Sequence, residues 1–295
     1  MPVIPGQYKE NSRKVKEALE RKGFSVREIK DFTTYLQFEV HLGADKLGLL
    51  RFYASKKGTM FDDSQLKFQK DKVRSALSSF VTFPSAESPV GVLGVDEAGK
   101  GDVFGPLVVA GVFIPNEAVA RKLEAIGVQD SKKVKDDIIM KIARDIKALV
   151  PSTTITINPK RYNELYEKIE NLNKLLAWGH ARAIENILAE NHKPAYALSD
   201  QFGNERLILE RLMQKGKKLE LRQRPKAEQN LAVAAASILA RAGFLQGMEK
   251  LSVQYHLPFP KGATHVKDAL ELFIKQQGKK ELPNVAKMHF RTIRG

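Results

Sequence analysis

The stretch Gly94-Val-Asp-Glu-Ala-Gly-Lys-Gly-Asp-Val-Phe-Gly-Pro-Leu-Val-Val-Ala-Gly-Val-Phe-Ile114 decides how this chain folds. Two apolar runs, at 92–95 and 107–114, flank a polar loop rich in glycine, the pattern of two short strands buried on both faces. Asp96 and Glu97 close the first run, which is an expensive place for two carboxylates unless something neutralises them. A hard divalent cation such as Mg²⁺ suits carboxylate oxygens; the plainer alternative is an exposed strand end with solvated acids. Gly94 to Lys100 also fits part of a phosphate-binding loop, but Gly101 stands where Ser or Thr is needed, and the two acids would repel a phosphate. The dinucleotide fingerprint fails as well, because its third glycine is misplaced and no ordinary strand-helix-strand unit follows.

Outward from this stretch, Thr153-Thr-Ile-Thr-Ile157 reads as a third strand. Leu172, Leu175, Leu176, Gly179, Ala183, Ile187 and Leu188 share one face of an amphipathic helix. Short strands are expected at 196–200 and 219–222, and helices at 230–250 and 266–277. That order predicts an α/β domain with a mixed sheet flanked by helices, over residues 86–295. A Pro/Ser/Gly-rich boundary at 82–91 separates it from residues 1–85. There the pattern predicts a helix at 10–22 capped by Asn11 or Ser12, strands at 32–41 and 47–54, and a second helix at 64–80. This small α+β domain holds 16 Lys/Arg against 10 Asp/Glu and no cluster of acids or His, so binding is expected of it rather than catalysis.

The whole chain of 295 residues carries 49 Lys+Arg against 34 Asp+Glu, a net +15 that points to a polyanionic partner, nucleic acid before membrane. Zero cysteines exclude disulfides, thiolate metal sites and thiol nucleophiles. The start lacks the basic and apolar regions of a secretory signal, and no apolar run is expected to cross a bilayer, so the reading is a soluble, cytoplasmic protein. Two more acids draw the eye. Asp200 ends the expected strand 196–200, and Glu228 precedes the apolar helix that begins at Leu231. A turn residue and a helix-end charge are the bland readings of the two, and spacing alone leaves open whether they meet Asp96 and Glu97.

Residues 95–111, Asp130-Ser-Lys-Lys133, Asp200-Gln-Phe and Ala234-Ala-Ala-Ser-Ile-Leu-Ala-Arg241 together resemble the motifs of type 2 ribonucleases H. The basic N-terminal domain, Asp102-Val-Phe-Gly105 and Ala286-Lys-Met-His-Phe-Arg-Thr292 resemble the ribonuclease HIII branch. The resemblance implies an RNase H-like catalytic domain behind a TATA-binding-protein-like domain that binds substrate. It implies an endonuclease that cuts the RNA strand of RNA/DNA hybrids with two divalent ions, Mg²⁺ or Mn²⁺, leaving 5′-phosphate and 3′-hydroxyl ends. The implied metal-binding acids are Asp96, Glu97, Asp200 and Glu228, with Asp102 the next candidate should Glu228 not serve. Gly99, Lys100 and Gly101 are the expected readers of the 2′-hydroxyl, and Lys132, Lys133, Lys287 and Arg291 are expected phosphate contacts. One departure is visible in Pro260-Lys-Gly-Ala-Thr264, where Ala263 replaces the junction-sensing Tyr of the HII branch. Cleavage at a single embedded ribonucleotide is therefore not expected. The chain is expected to act as a monomer, without membrane or obligate protein partner.

Overall fold

The computed structural model describes residues 5–32, 35–55, 58–66, 68–77, 88–128, 131 and 134–294. The expected phosphate contacts Lys132 and Lys133, with Asp130 of the same motif, lie outside the described residues. Two compact units divide the chain, Met1–Glu87 and Ser88–Gly295.

The first unit runs α1 (Pro5–Glu20), β1 (Phe24–Phe32), β2 (Tyr35–Leu42), β3 (Asp45–Ser55), β4 (Gly58–Leu66) and α2 (Lys70–Leu77). Its four strands pair in sequence order, all antiparallel. Alternate residues Phe38 and Val40 of β2 turn inward with Val15 and Leu19 of α1 and Val73 and Leu77 of α2. Three expectations are corrected here. The first helix begins at Pro5, ahead of Asn11 and Ser12; β1 and β4 were not foreseen; and the expected helix at 64–80 is the end of β4 followed by the eight-residue α2. Strand β4 reads Gly-Thr-Met-Phe-Asp-Asp-Ser-Gln-Leu, rich in poor strand formers, and it is the ladder with β3 that makes it extended.

The second unit runs β5 (Val92–Ala98), β6 (Leu107–Phe113), α3 (Glu117–Ala125), α4 (Asp136–Leu149), β7 (Ser152–Ile157), α5 (Pro159–Ile169), α6 (Leu172–Ala189), β8 (Tyr196–Asp200), α7 (Arg206–Leu209), β9 (Glu220–Arg224), α8 (Leu231–Tyr255), α9 (Lys267–Gln277) and α10 (Arg291–Arg294). The sheet order is β7-β6-β5-β8-β9. Strand β6 runs antiparallel to both of its neighbours, β7 and β5, whereas β5, β8 and β9 run parallel. Val92, Val108, Ala110 and Leu198 pack with α8 on one face. Leu93, Val95, Val109 and Ala197 pack with α6 on the other. Helix α8 corrects the expectation that no run could cross a bilayer, since 25 residues of its composition are long and apolar enough. Its buried residues, from Ala232 to Met248, instead lie in the core against the sheet.

Candidate active site

Parallel strands share the edge at which they end, and ligands of such sheets bind there. Val95 pairs with Ser199, the last rung of that ladder, so Asp96 and Asp200 are the next residue on each strand, and the charge of Asp200 bears on Asp96. Past β9 the chain forms a short 3₁₀ turn, Ala227–Gln229, whose Ala227 N–H donates to Asp200 Oδ1 at 3.3 Å. That bond holds Glu228, the next residue, close to Asp200. Topology therefore brings Asp96, Glu97 and Asp200 to one edge, with the backbone of Glu228 one residue beyond the bond to Asp200. Asp102, the reserve candidate, is engaged elsewhere: its Oδ1 accepts from Gly262 N–H at 2.6 Å.

Asp96 and Glu97 point to opposite faces, as consecutive strand residues must. Asp96 lies on the α8 side, where its carboxylate meets the Ser237 hydroxyl, while Oδ1 accepts from Glu97 N–H at 2.8 Å. Ser237 Oγ in turn lies 2.6 Å from Ser131 Oγ, so serines of two separate sequence motifs support this acid. Burial, with the charges of Glu97 and Asp200 beside it, pushes the Asp96 carboxyl up to about 7 against those hydrogen bonds. Glu97 lies on the α6 side. Its Oε1 accepts from Lys100 Nζ at 2.6 Å and its Oε2 from His180 Nε2 at 2.9 Å. Burial works to raise this carboxyl too, but His180 and Lys100 outweigh it and hold it near 2.

The loop after β5 carries the expected readers. Gly99 has φ +86°, and a Cβ there would fall 2.2 Å from the Pro106 carbonyl oxygen, so only glycine fits. A Cβ on Gly101 would meet open space, which leaves that backbone free for a ligand to approach. The loop is fixed from outside by the C-terminal segment. Val103 N–H donates to Gly262 O at 3.0 Å, Gly105 N–H to Val285 O at 3.0 Å, and Lys287 N–H to Val103 O at 2.8 Å. Lys287 Nζ donates to the carbonyls of Asp102 at 2.8 Å and Gly105 at 2.7 Å. This corrects the expectation of a phosphate contact: Lys287 is 0% exposed, and burial pushes its pKa down to about 7 against the upward pull of Asp102. Arg291 is exposed at the start of α10. Ala263 follows Gly262, and so lies next to the latched loop with only a methyl group to offer.

Sequence reasoning missed His180 altogether, since it lies 83 residues from Glu97. The one signal was Gly179 on the core-facing side of α6, a mark of close approach. A Cβ at Gly179 would come 2.7 Å from Val109 Cγ2.

Among the described residues, no group of three His, Asp or Glu side chains closes tightly enough to hold a metal ion by itself. The donor chemistry nonetheless fits a hard cation. Burial first, and then the negative charges of Glu97 and Asp200, drive Asp96 toward neutrality, and a cation between it and Asp200 would offset both.

The family model for Ribonuclease HII matches residues 93–293. The chain belongs to this family, in its ribonuclease HIII branch. It is 47% identical over 203 residues to Ribonuclease HIII of Chlamydia pneumoniae, covering 68% of each chain. It is 39% identical over 259 residues to Ribonuclease HIII of Protochlamydia amoebophila, covering 82% of this chain and 85% of that one. Among solved structures, that of Bst-RNase HIII in complex with Mn²⁺ superposes with a TM-score of 0.67 at 26% identity, over 91% of this chain and 87% of the other. Membership makes the chain a ribonuclease H.

Proposed function

We propose that this ribonuclease H cuts the RNA strand of RNA/DNA hybrids internally, using two divalent ions, Mg²⁺ or Mn²⁺, and leaving 5′-phosphate and 3′-hydroxyl ends. The observation that carries the reading is the adjacency of Asp96 and Asp200 at the parallel strand ends, next to the glycine-lysine-glycine loop. Asp96, Glu97, Asp200 and Glu228 are the residues that would hold the ions. When bound, a pair of divalent ions supplies an activated water and charge stabilisation at the leaving oxygen. The rest falls to the chain itself. Asp96, buttressed by Ser237, and Glu97, buttressed by His180, keep fixed carboxylate directions at the edge. Gly99 and Gly101 offer backbone polar groups to the 2′-hydroxyl, which alone tells RNA from DNA at that point. Lys100, its side chain 47% exposed on a flexible stem, can meet a backbone phosphate. The small basic unit grips the duplex through its phosphates.

The place of Glu228 in this set rests on the Ala227–Asp200 hydrogen bond. Glu205, half-buried at the start of α7 and without a cap hydrogen bond to that helix, is the competing carboxylate beyond Asp200. The test of the function is cleavage of a uniformly labelled RNA/DNA hybrid with and without Mg²⁺ or Mn²⁺, beside double-stranded RNA and DNA, with end-group analysis of the products. Metal-dependent cutting of the hybrid's RNA strand alone is the expected result; equal cutting of double-stranded DNA overturns the reading.

A further inference from the structure

His180 is fully buried beneath that edge, and in the reaction outlined above it only buttresses Glu97, touching neither the hybrid nor an ion. Its Nε2 lies 2.9 Å from Glu97 Oε2, and its ring packs on Phe202 with centroids 4.8 Å apart. Nδ1 is buried and, among the described residues, meets no hydrogen-bond partner. A proton on Nδ1 would therefore be a buried donor with nothing to meet, whereas a proton on Nε2 points at an ionised carboxylate. The imidazole is thus a fixed donor to one oxygen of Glu97.

The backbone is arranged to place it there. Glu97 pairs across the sheet with Val109, and Gly179 is the residue of α6 that rests on Val109. Any side chain at 179 would push the helix outward, and His180 with it. With Oε2 held by this buried ring, the carboxylate cannot rotate freely. Oε1, which accepts from the half-exposed Lys100, is the oxygen turned toward the glycine loop.

We propose that His180 is a positioning residue, which locks the Glu97 carboxylate so that Oε1 is presented to a divalent ion, and thereby sets metal affinity rather than grip on the hybrid. The proposal rests on the reading of Glu97 as a metal ligand. Partners that orient a ligating side chain are typically worth ~10–100-fold in metal affinity or activity.

The test compares His180→Gln with His180→Asn and His180→Leu in the full chain. The Gln amide nitrogen reaches about as far as Nε2, the Asn amide stops short of it, and Leu fills the space without a donor. Mn²⁺ binding is measured by calorimetry without nucleic acid, folding by thermal melting, and kcat and KM for the hybrid at saturating metal. The Asn and Leu chains are expected to bind Mn²⁺ ~10–100-fold more weakly with KM unchanged, and the Gln chain to recover most of the affinity. Should Leu destabilise the fold, the two amides still decide. Asn and Gln chains that melt normally and bind Mn²⁺ like the parent overturn the role of His180, as does a Gln chain no better than Asn. Glu97→Gln is the separate control. If that chain binds Mn²⁺ and cleaves normally, the assignment of Glu97 itself fails, whatever His180 does.

Discussion

A glutamate flanked by a histidine and a lysine occurs in each unit of the molecule. In the first, Glu39 on β2 meets His41 Nε2 at 2.8 Å and forms an ion pair with Lys46. In the second, Glu97 meets His180 Nε2 at 2.9 Å and Lys100 Nζ at 2.6 Å. Both carboxyls are held below their ordinary range, Glu39 by Lys46 and His41, Glu97 by His180 and Lys100 against its burial. The trio alone is therefore no catalytic device; it is a satisfied ion cluster. What separates the two is the company Glu97 keeps. Asp96 precedes it and Asp200 stands across the strand gap, so the second cluster carries negative charge that its own cations leave crowded.

The sharpest way to break this comparison is to remove one of the extra acids. Asp96→Asn should lower kcat by ~10³-fold or more, whereas Glu39→Gln should leave kcat at saturating hybrid unchanged, both read in a hybrid-cleavage assay. A smaller effect, ~10–100-fold on kcat with little change in KM, is expected for Glu228→Gln. If Glu205→Gln shows that loss and Glu228→Gln does not, the fourth carboxylate is Glu205. Smaller again is the effect of starting the chain near Pro89, which removes the unit of Glu39. Binding of a cleavage-dead chain to hybrid should weaken ~10-fold or more, with a shallower salt dependence, because sequence-independent phosphate contacts are lost. An unchanged salt slope would show that the small unit does not touch the duplex.

The least effect is on stability. In the folded chain Asp96 keeps its proton up to about 7, while the unfolded chain releases it near the ordinary aspartate value of 3.8. Between those values the folded state binds more protons, so metal-free stability should fall as pH rises through the window. Asp96→Asn should flatten that slope and raise the metal-free melting temperature at neutral pH by a few degrees at most, as followed by circular dichroism across pH.

The second sheet was legible because its strands advertise themselves: β6, buried at every position, reads as an unbroken apolar run. Asp96, Glu97 and Asp200 were legible as acids ending such runs. In the first unit β1 and β4 were not, because they are interspersed with Lys, Glu, Asp and Ser, and their conformation is set by pairing with neighbours. Glu39 and His41 are two residues apart in one strand, a spacing that can be read directly. His180 and Glu97 belong to different elements and meet only once α6 has settled on Val109. Lys287 was misread for a related reason. A lysine in a basic segment has the composition of a solvated surface, and nothing local reveals that the carbonyls of Asp102, Phe104 and Gly105 in an earlier loop will enclose it.

That enclosure has a consequence for inheritance. The carbonyls of Asp102, Val103 and Gly105 find their partners in Lys287, 182 residues beyond Gly105. Loop and lysine are thus one unit in space although they are far apart in sequence. An exchange that takes the loop from one relative and the lysine's segment from another parts the two halves of a latch and leaves buried carbonyls unpaired. The two segments must therefore travel together.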